Sequence, residues 1–151
     1  MAHDKARTAY ISGALTGVDD LASARRYYER LAAVCASCGL DPYVPHLRTD
    51  PERHANLTPQ VVFEQDRAVL RSARVVVAYI GAPSLGVGAE VVLACSANTP
   101  VLALHRPDER VSRFILGYLR QASGARIVAA SDHTVEDVVG RSLREMLAPA
   151  R

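Results

Sequence analysis

Apolar residues recur along this chain at two different periods. Short β-branched or aromatic runs read as strands, and longer stretches with apolar residues every three or four positions read as helices. Arg7–Ser12 (RTAYIS) predicts a strand that ends in the loop Gly13–Gly17 (GALTG). Asp19 or Asp20 can cap a helix to about Ser37, which Gly39 stops. Asp41–Val44 predicts a second strand, closed by Pro45-His46 and followed by the polar loop RTDPERHANL. Thr58-Pro59 opens a helix to about Ser72, with Thr as cap and Pro in the first helical position. Arg74–Ile80 predicts a buried strand. A glycine turn then leads into a helix from about Val87 to Ala97, and Pro100–Leu104 predicts a fourth strand. A helix over Arg110–Arg120, a strand over Arg126–Ala130 and a helix over Val135–Leu147 complete the series.

This alternation predicts one α/β domain over residues 1–151. Its core is a five-stranded parallel sheet with helices on both faces. Such sheets bind ligands at the carboxyl ends of their strands. Those ends fall at Gly13–Gly17, His46, Gly81–Gly88 and His105–Ser112.

Two carboxylates break the apolar pattern. On the helix after Thr58, Val62, Val69, Leu70 and Ala73 form one stripe, and Asp66 sits on it four residues from both Val62 and Leu70. A carboxylate facing a core is costly unless it is paired or lines a pocket. Asp66 therefore either lines a pocket or reaches round to water, Arg67 or Arg71. The second carboxylate is Glu90, the one charged residue between Arg74 and Arg106. It lies in PSLGVGAEVVLA, in the expected first turn of a helix with no polar face in its first half. Either it complements the helix dipole there, or it points into a pocket. Gly86 and Gly88 favour the pocket, because they let a ligand approach the backbone and permit unusual backbone angles. The stretch is neither a dinucleotide fingerprint, since Val91 stands where Gly or Ala is needed, nor a P-loop, since no GK[ST] follows. A serine, two glycines and a helix N-terminus suit a phosphate.

Composition excludes some partners. Hydrophobic residues make up 49% of the chain, charged residues 23%, and the net charge is +2, with no basic block. A nucleic-acid polymer is not expected. No apolar run spans a membrane, and MAHDKART has no signal-peptide core, so the expectation is a cytoplasmic protein. Three cysteines, including the pair Cys35 and Cys38, read as reduced thiols. No His, Asp or Glu pair has metal-ligand spacing, and neither metal nor cofactor is expected.

Tyr10-Ile-Ser-Gly13, Glu64-Gln-Asp66, VVVA, PSLGVGAE and VLALHRP followed by VSRFILG resemble one family in order and spacing, from about Tyr10 to Gly117. It is the 2'-deoxynucleoside 5'-monophosphate N-glycosidases, within the nucleoside 2-deoxyribosyltransferase superfamily. The resemblance implies a flavodoxin/Rossmann-like α/β fold, hydrolysis of a nucleotide's N-glycosidic bond and a homodimer. It implies Glu90 as nucleophile at the anomeric carbon, with Tyr10 and Asp66 assisting. It also implies a phosphate site at Ser84, Gly86 or Gly88, with Ser112 of the partner subunit, and His46 on the pocket wall. The first loop departs from the family. Ala14 and Thr16 stand where the hydrolases usually carry a Ser and an Arg, leaving Gly13 and the Thr16 hydroxyl to serve there. A deoxyribosyltransferase and a non-catalytic nucleotide sensor are the alternative readings.

Overall fold

The computed structural model describes residues 7–149. Residues 1–6, which underlie most of the signal-peptide reading, lie outside them. The elements are β1 (Thr8–Ser12), α1 (Leu21–Ser37), β2 (Asp41–Tyr43), a 3-10 turn (Pro45–Leu47), α2 (Pro59–Ser72), β3 (Val75–Tyr79), α3 (Leu85–Ser96), β4 (Val101–His105), α4 (Arg113–Gln121), β5 (Ala125–Ala129) and α5 (Val135–Leu147). All four strand pairings are parallel. The strand order is β2-β1-β3-β4-β5. This is the flavodoxin-like order, whose switch point lies between β1 and β3.

Helices cover both faces. Tyr27, Leu31 and Cys35 of α1 pack with Val135, Val139 and Leu143 of α5 against Ala9, Ile11, Val75 and Val77. On the other face Leu70 of α2, Val87 and Val91 of α3 and Leu119 of α4 cover Tyr10, Val76 and Ala78. Alternation along β1 thus sends Tyr10 and Ser12 towards α2 and α3. Several caps match the sequence. Asp20 accepts from the Ser23 N–H, Thr58 accepts from the Val61 N–H, and Gly39 leaves α1 at a positive φ of 79°. No helix among the described residues is long and apolar enough to cross a membrane.

Two helix starts differ from the pattern-based expectation. α4 begins at Arg113, because Ser112 caps it. α3 begins at Leu85, because the Ser84 hydroxyl accepts from the Val87 N–H at 3.2 Å. Gly86 and Gly88 are therefore helical residues rather than a turn. Their φ values are ordinary; the positive-φ glycines are Gly17, Gly39 and Gly124. The freedom of glycine is thus not used for backbone angle here. α3 is also less enclosed than its composition suggests: Val87, Val91 and Ala94 are buried, whereas Leu85 is 97% exposed.

Candidate active site

Two neighbouring strands end near tyrosines that stand side by side. The parallel register sets Tyr10 of β1 opposite Tyr43 of β2. Their rings stack with centroids 5.4 Å apart. Each phenol then donates to a carboxylate from a different helix. Tyr10 donates to Glu90 Oε1 of α3 at 2.8 Å, and Tyr43 donates to Asp66 Oδ1 of α2 at 2.9 Å. Ser12 lies two residues beyond Tyr10 on the same face of β1 and donates to Glu90 Oε2 at 2.5 Å. Thr49 Oγ1 lies 3.4 Å from Asp66 Oδ2 and 3.2 Å from the Pro45 carbonyl, so its single proton serves one or the other. Tyr10 and Ser12 are wholly buried.

Both carboxylates line a cavity of about 510 Å³ at the carboxyl end of the sheet, beside the switch point. Gly13, Leu15 and Thr16 from the first loop form one side, with Gly86, Ala89 and Leu93 of α3. The opposite wall is Pro51, His54, Ala55 and Leu57 of the long loop and Val62, Phe63, Arg67 and Leu70 of α2. Most of these side chains are apolar. Arg67 is held over the Phe63 ring at 5.2 Å.

Burial pushes both carboxyls up from their ordinary values. For Glu90 it outweighs the hydrogen bonds from Ser12 and Tyr10, and a charge on Asp66 pushes the same way. For Asp66 it outweighs the bonds from Tyr43 and Thr49. Burial, reinforced by the two carboxylates, also holds Tyr10 well above the usual phenol range. Tyr43 is raised by the same causes. Both phenols therefore keep their protons and act as donors. Glu90 is the sixth residue of α3, in the second turn rather than the first. The helix dipole fades beyond the first turn, so the expected help from the N-terminus is small. The two hydroxyls take its place.

The other sequence candidates divide between two cavities. Gly13, Thr16 and Gly86 line the cavity of Glu90 and Asp66. Ser84, Gly88 and Ser112 line a second cavity of about 300 Å³ between the starts of α3 and α4, with Arg110. His46 lines neither. Its ring is buried in the 3-10 turn, with Nε2 2.9 Å from Glu29 Oε1 on α1, so the expectation that it borders the pocket does not hold within one chain. Asp66 finds Tyr43 and Thr49 rather than Arg67 or Arg71. Sequence reasoning passed over Ser12, Tyr43, Thr49 and the wall from Pro51 to Phe63. Ser12 carried a readable signal, a hydroxyl two places from Tyr10 on a buried strand. Cys35 is buried with its thiol pushed up to about 12, and Cys38 shares its sulfur with the Gly140 carbonyl and Arg144. Among the described residues no group of three His, Cys, Asp or Glu side chains could hold a metal.

This fold and site define a class: a doubly wound α/β domain with two phenol-held carboxylates facing one cavity at the switch point. Such a pair suits bond cleavage at a carbon that becomes cation-like. Comparison with known proteins narrows the class. Residues 9–139 match the family model described as nucleoside 2-deoxyribosyltransferase, and the chain belongs to that family. A Methanosarcina mazei protein provisionally named 2'-deoxynucleoside 5'-phosphate N-hydrolase 1 is 30% identical over 115 residues, 74% of this chain and 68% of that one. The mouse 5-hydroxymethyl-dUMP N-hydrolase is 38% identical over 79 residues, 52% of this chain but only 44% of the mouse protein. The structure of a CMP N-glycosidase from Clostridium botulinum superposes with a TM-score of 0.67 at 16% identity, over 93% of this chain and 100% of that one. That last likeness concerns the fold.

Proposed function

We propose that this chain hydrolyses the N-glycosidic bond of a (2'-deoxy)nucleoside 5'-monophosphate, giving free base and (deoxy)ribose 5-phosphate. One observation carries the reading. Glu90 has both oxygens held by hydroxyls and shares a substrate-sized cavity with a buried carboxyl, Asp66. The names carried by the archaeal and mouse relatives, both nucleotide N-hydrolases, point the same way.

The roles follow from the hydrogen bonds. Glu90 accepts two hydroxyls at 2.5 and 2.8 Å, which favours its anion. Asp66 accepts one firm bond at 2.9 Å and a weak one at 3.4 Å, so it is the better place to keep a proton. A Glu90 oxygen attacks the anomeric carbon as the bond to the base breaks. The electron pair of that bond leaves with the base nitrogen, and Asp66 supplies the proton the base needs. Water then attacks the same carbon, the ester bond to Glu90 breaks, and Asp66 recovers a proton from the water. Thr16 and the N–H groups of the first turn of α3, beside Gly86, receive the 5'-phosphate. Ser84, the cap of that turn, and Gly88, its fourth residue, line the second cavity with Ser112. Ser112 of the partner subunit completes the phosphate site in a homodimer, since within one chain Ser112 lines the other cavity. The reading places the protein in the cytoplasm, where unpaired thiols stay reduced.

A panel of ribo- and deoxyribonucleoside monophosphates, with the matching nucleosides, tests this by release of free base. Turnover without an acceptor is the expected result. Strict dependence on a second base would make the chain a transferase. Glu90→Ala should lose on the order of 10⁴-fold in kcat, and full activity in that variant would sink the proposal.

A further inference from the structure

The two carboxylates of the cavity have nearly the same surroundings. Each accepts from a tyrosine on an adjacent strand, at 2.8 Å for Glu90 and 2.9 Å for Asp66. Those tyrosines are register partners and stack on each other. Asp66 is buried and Glu90 half-buried, and both line one cavity. By phenol, neither is marked out to carry the negative charge. The asymmetry lies in the second donor. Ser12 gives Glu90 a full hydrogen bond at 2.5 Å, whereas Thr49 offers Asp66 a contact of 3.4 Å that competes with the Pro45 carbonyl at 3.2 Å.

We propose that Ser12 is the positioning residue that decides which of the two carboxyls is the anion, so that Glu90 is the nucleophile and Asp66 keeps the proton. This rests on the glycosidase reading above and deepens it. The groups facing Glu90 leave Ser12 little competition. β1 contributes Tyr10 and Ser12, and β2 contributes Tyr43 through Asp66. α2 contributes Asp66, and Arg67, which is engaged over Phe63; the long loop contributes His54 to the far wall. Glu90 is the one charged residue of α3. A hydrogen bond to a charged group is worth more than one to a neutral group, so the Ser12 proton favours the ionised form of Glu90. It also fixes the carboxylate plane, because each oxygen is held from a separate residue. When one oxygen forms the glycosyl ester, the other becomes its carbonyl and keeps a hydroxyl donor.

The test compares wild type, Ser12→Ala and Ser12→Thr by pH–rate profiles on the monophosphate that wild type turns over best. In Ser12→Ala the acidic limb should move to higher pH, and kcat below that limb should fall about tenfold, with KM within about twofold. Ser12→Thr should restore most of both. An acidic limb that stays in place in Ser12→Ala overturns the proposal. A second measurement needs no turnover: the carbon NMR titration of Glu90 in glutamate-labelled protein, assigned by its loss in Glu90→Gln. Its midpoint should rise in Ser12→Ala, and an unmoved midpoint overturns the proposal as well. The two readings fail separately. Full activity in Glu90→Gln would remove the nucleophile, whereas an inactive Glu90→Gln beside an unchanged Ser12→Ala would remove only the role of Ser12.

Discussion

Glu90 is held ready for chemistry at the expense of stability. Its carboxyl titrates above the ordinary 4.5 because burial outweighs the two hydroxyls. The folded state therefore binds this proton more tightly than the unfolded chain does. The stability this contributes is complete below the unfolded value and is lost as pH rises through the folded one. At neutral pH the ionised, partly desolvated Glu90 weakens the fold. Glu90→Gln should accordingly unfold at a higher temperature than wild type at pH 7 while losing its activity. The difference should shrink as pH falls towards 4. Calorimetric melts of both proteins across that range check it, and a variant less stable at pH 7 would contradict the burial argument. Asp66 is raised for the same reason and should behave alike in Asp66→Asn.

At the scale of elements, glycines separate what was legible in the sequence from what was not. The strands and helices followed from periodicity, and the caps at Asp20 and Thr58 from residue type. So did the two carboxylates, because an Asp on a clean apolar stripe and a lone Glu in an apolar helix are both conspicuous. The start of α3 was misjudged, because Gly86 and Gly88 look like a turn until Ser84 is seen to cap a helix that contains them. The tyrosine pair was hidden for another reason: it depends on register between β1 and β2, which periodicity does not give. A Cβ on Gly86 would meet only Ser84 Oγ at 3.8 Å, so the fold has room for a side chain there. Alanine suits a helix better than glycine, and Gly86→Ala should gain about 0.5–1 kcal/mol in stability. It should also raise KM several-fold, because Gly86 lies on the Glu90 cavity. Denaturant unfolding and steady-state kinetics on one preparation decide this; unchanged KM would mean that no ligand approaches the backbone here. Gly13 is the contrasting case. A Cβ there would lie 2.2 Å from Cζ of the Tyr28 ring, whose hydroxyl donates to the Ala14 carbonyl at 2.9 Å. Gly13→Ala should cost about 1–3 kcal/mol by overpacking, read from the same unfolding curves.

For the whole molecule, the open question is what covers the start of α3 and α4. Leu85 is 97% exposed and Phe114 is 79% exposed. Both lie in the N-terminal turns of α3 and α4, whose caps Ser84 and Ser112 line the second cavity. Large apolar side chains so bare lose on the order of 1.5–3 kcal/mol each relative to burial. A second copy of the chain seated on this surface would recover that energy. In the homodimer proposed above Ser112 serves the partner's phosphate site, since it does not line the Glu90 cavity of its own chain. Packing and catalysis would then share one surface. The double variant Leu85→Glu with Phe114→Glu separates them from folding, because a glutamate in a helix's first turn complements the dipole and leaves each helix intact. Sedimentation velocity should show wild type at twice the 16.3 kDa chain mass and the double variant at once that mass. The variant should keep its circular dichroism spectrum yet hydrolyse nucleoside monophosphates at least about tenfold more slowly, since losing a hydrogen bond to a charged phosphate weakens its hold. Wild type that sediments as a monomer with full activity would place the whole phosphate site within one chain. Thr16 and the first turn of α3 would then have to hold the anion unaided.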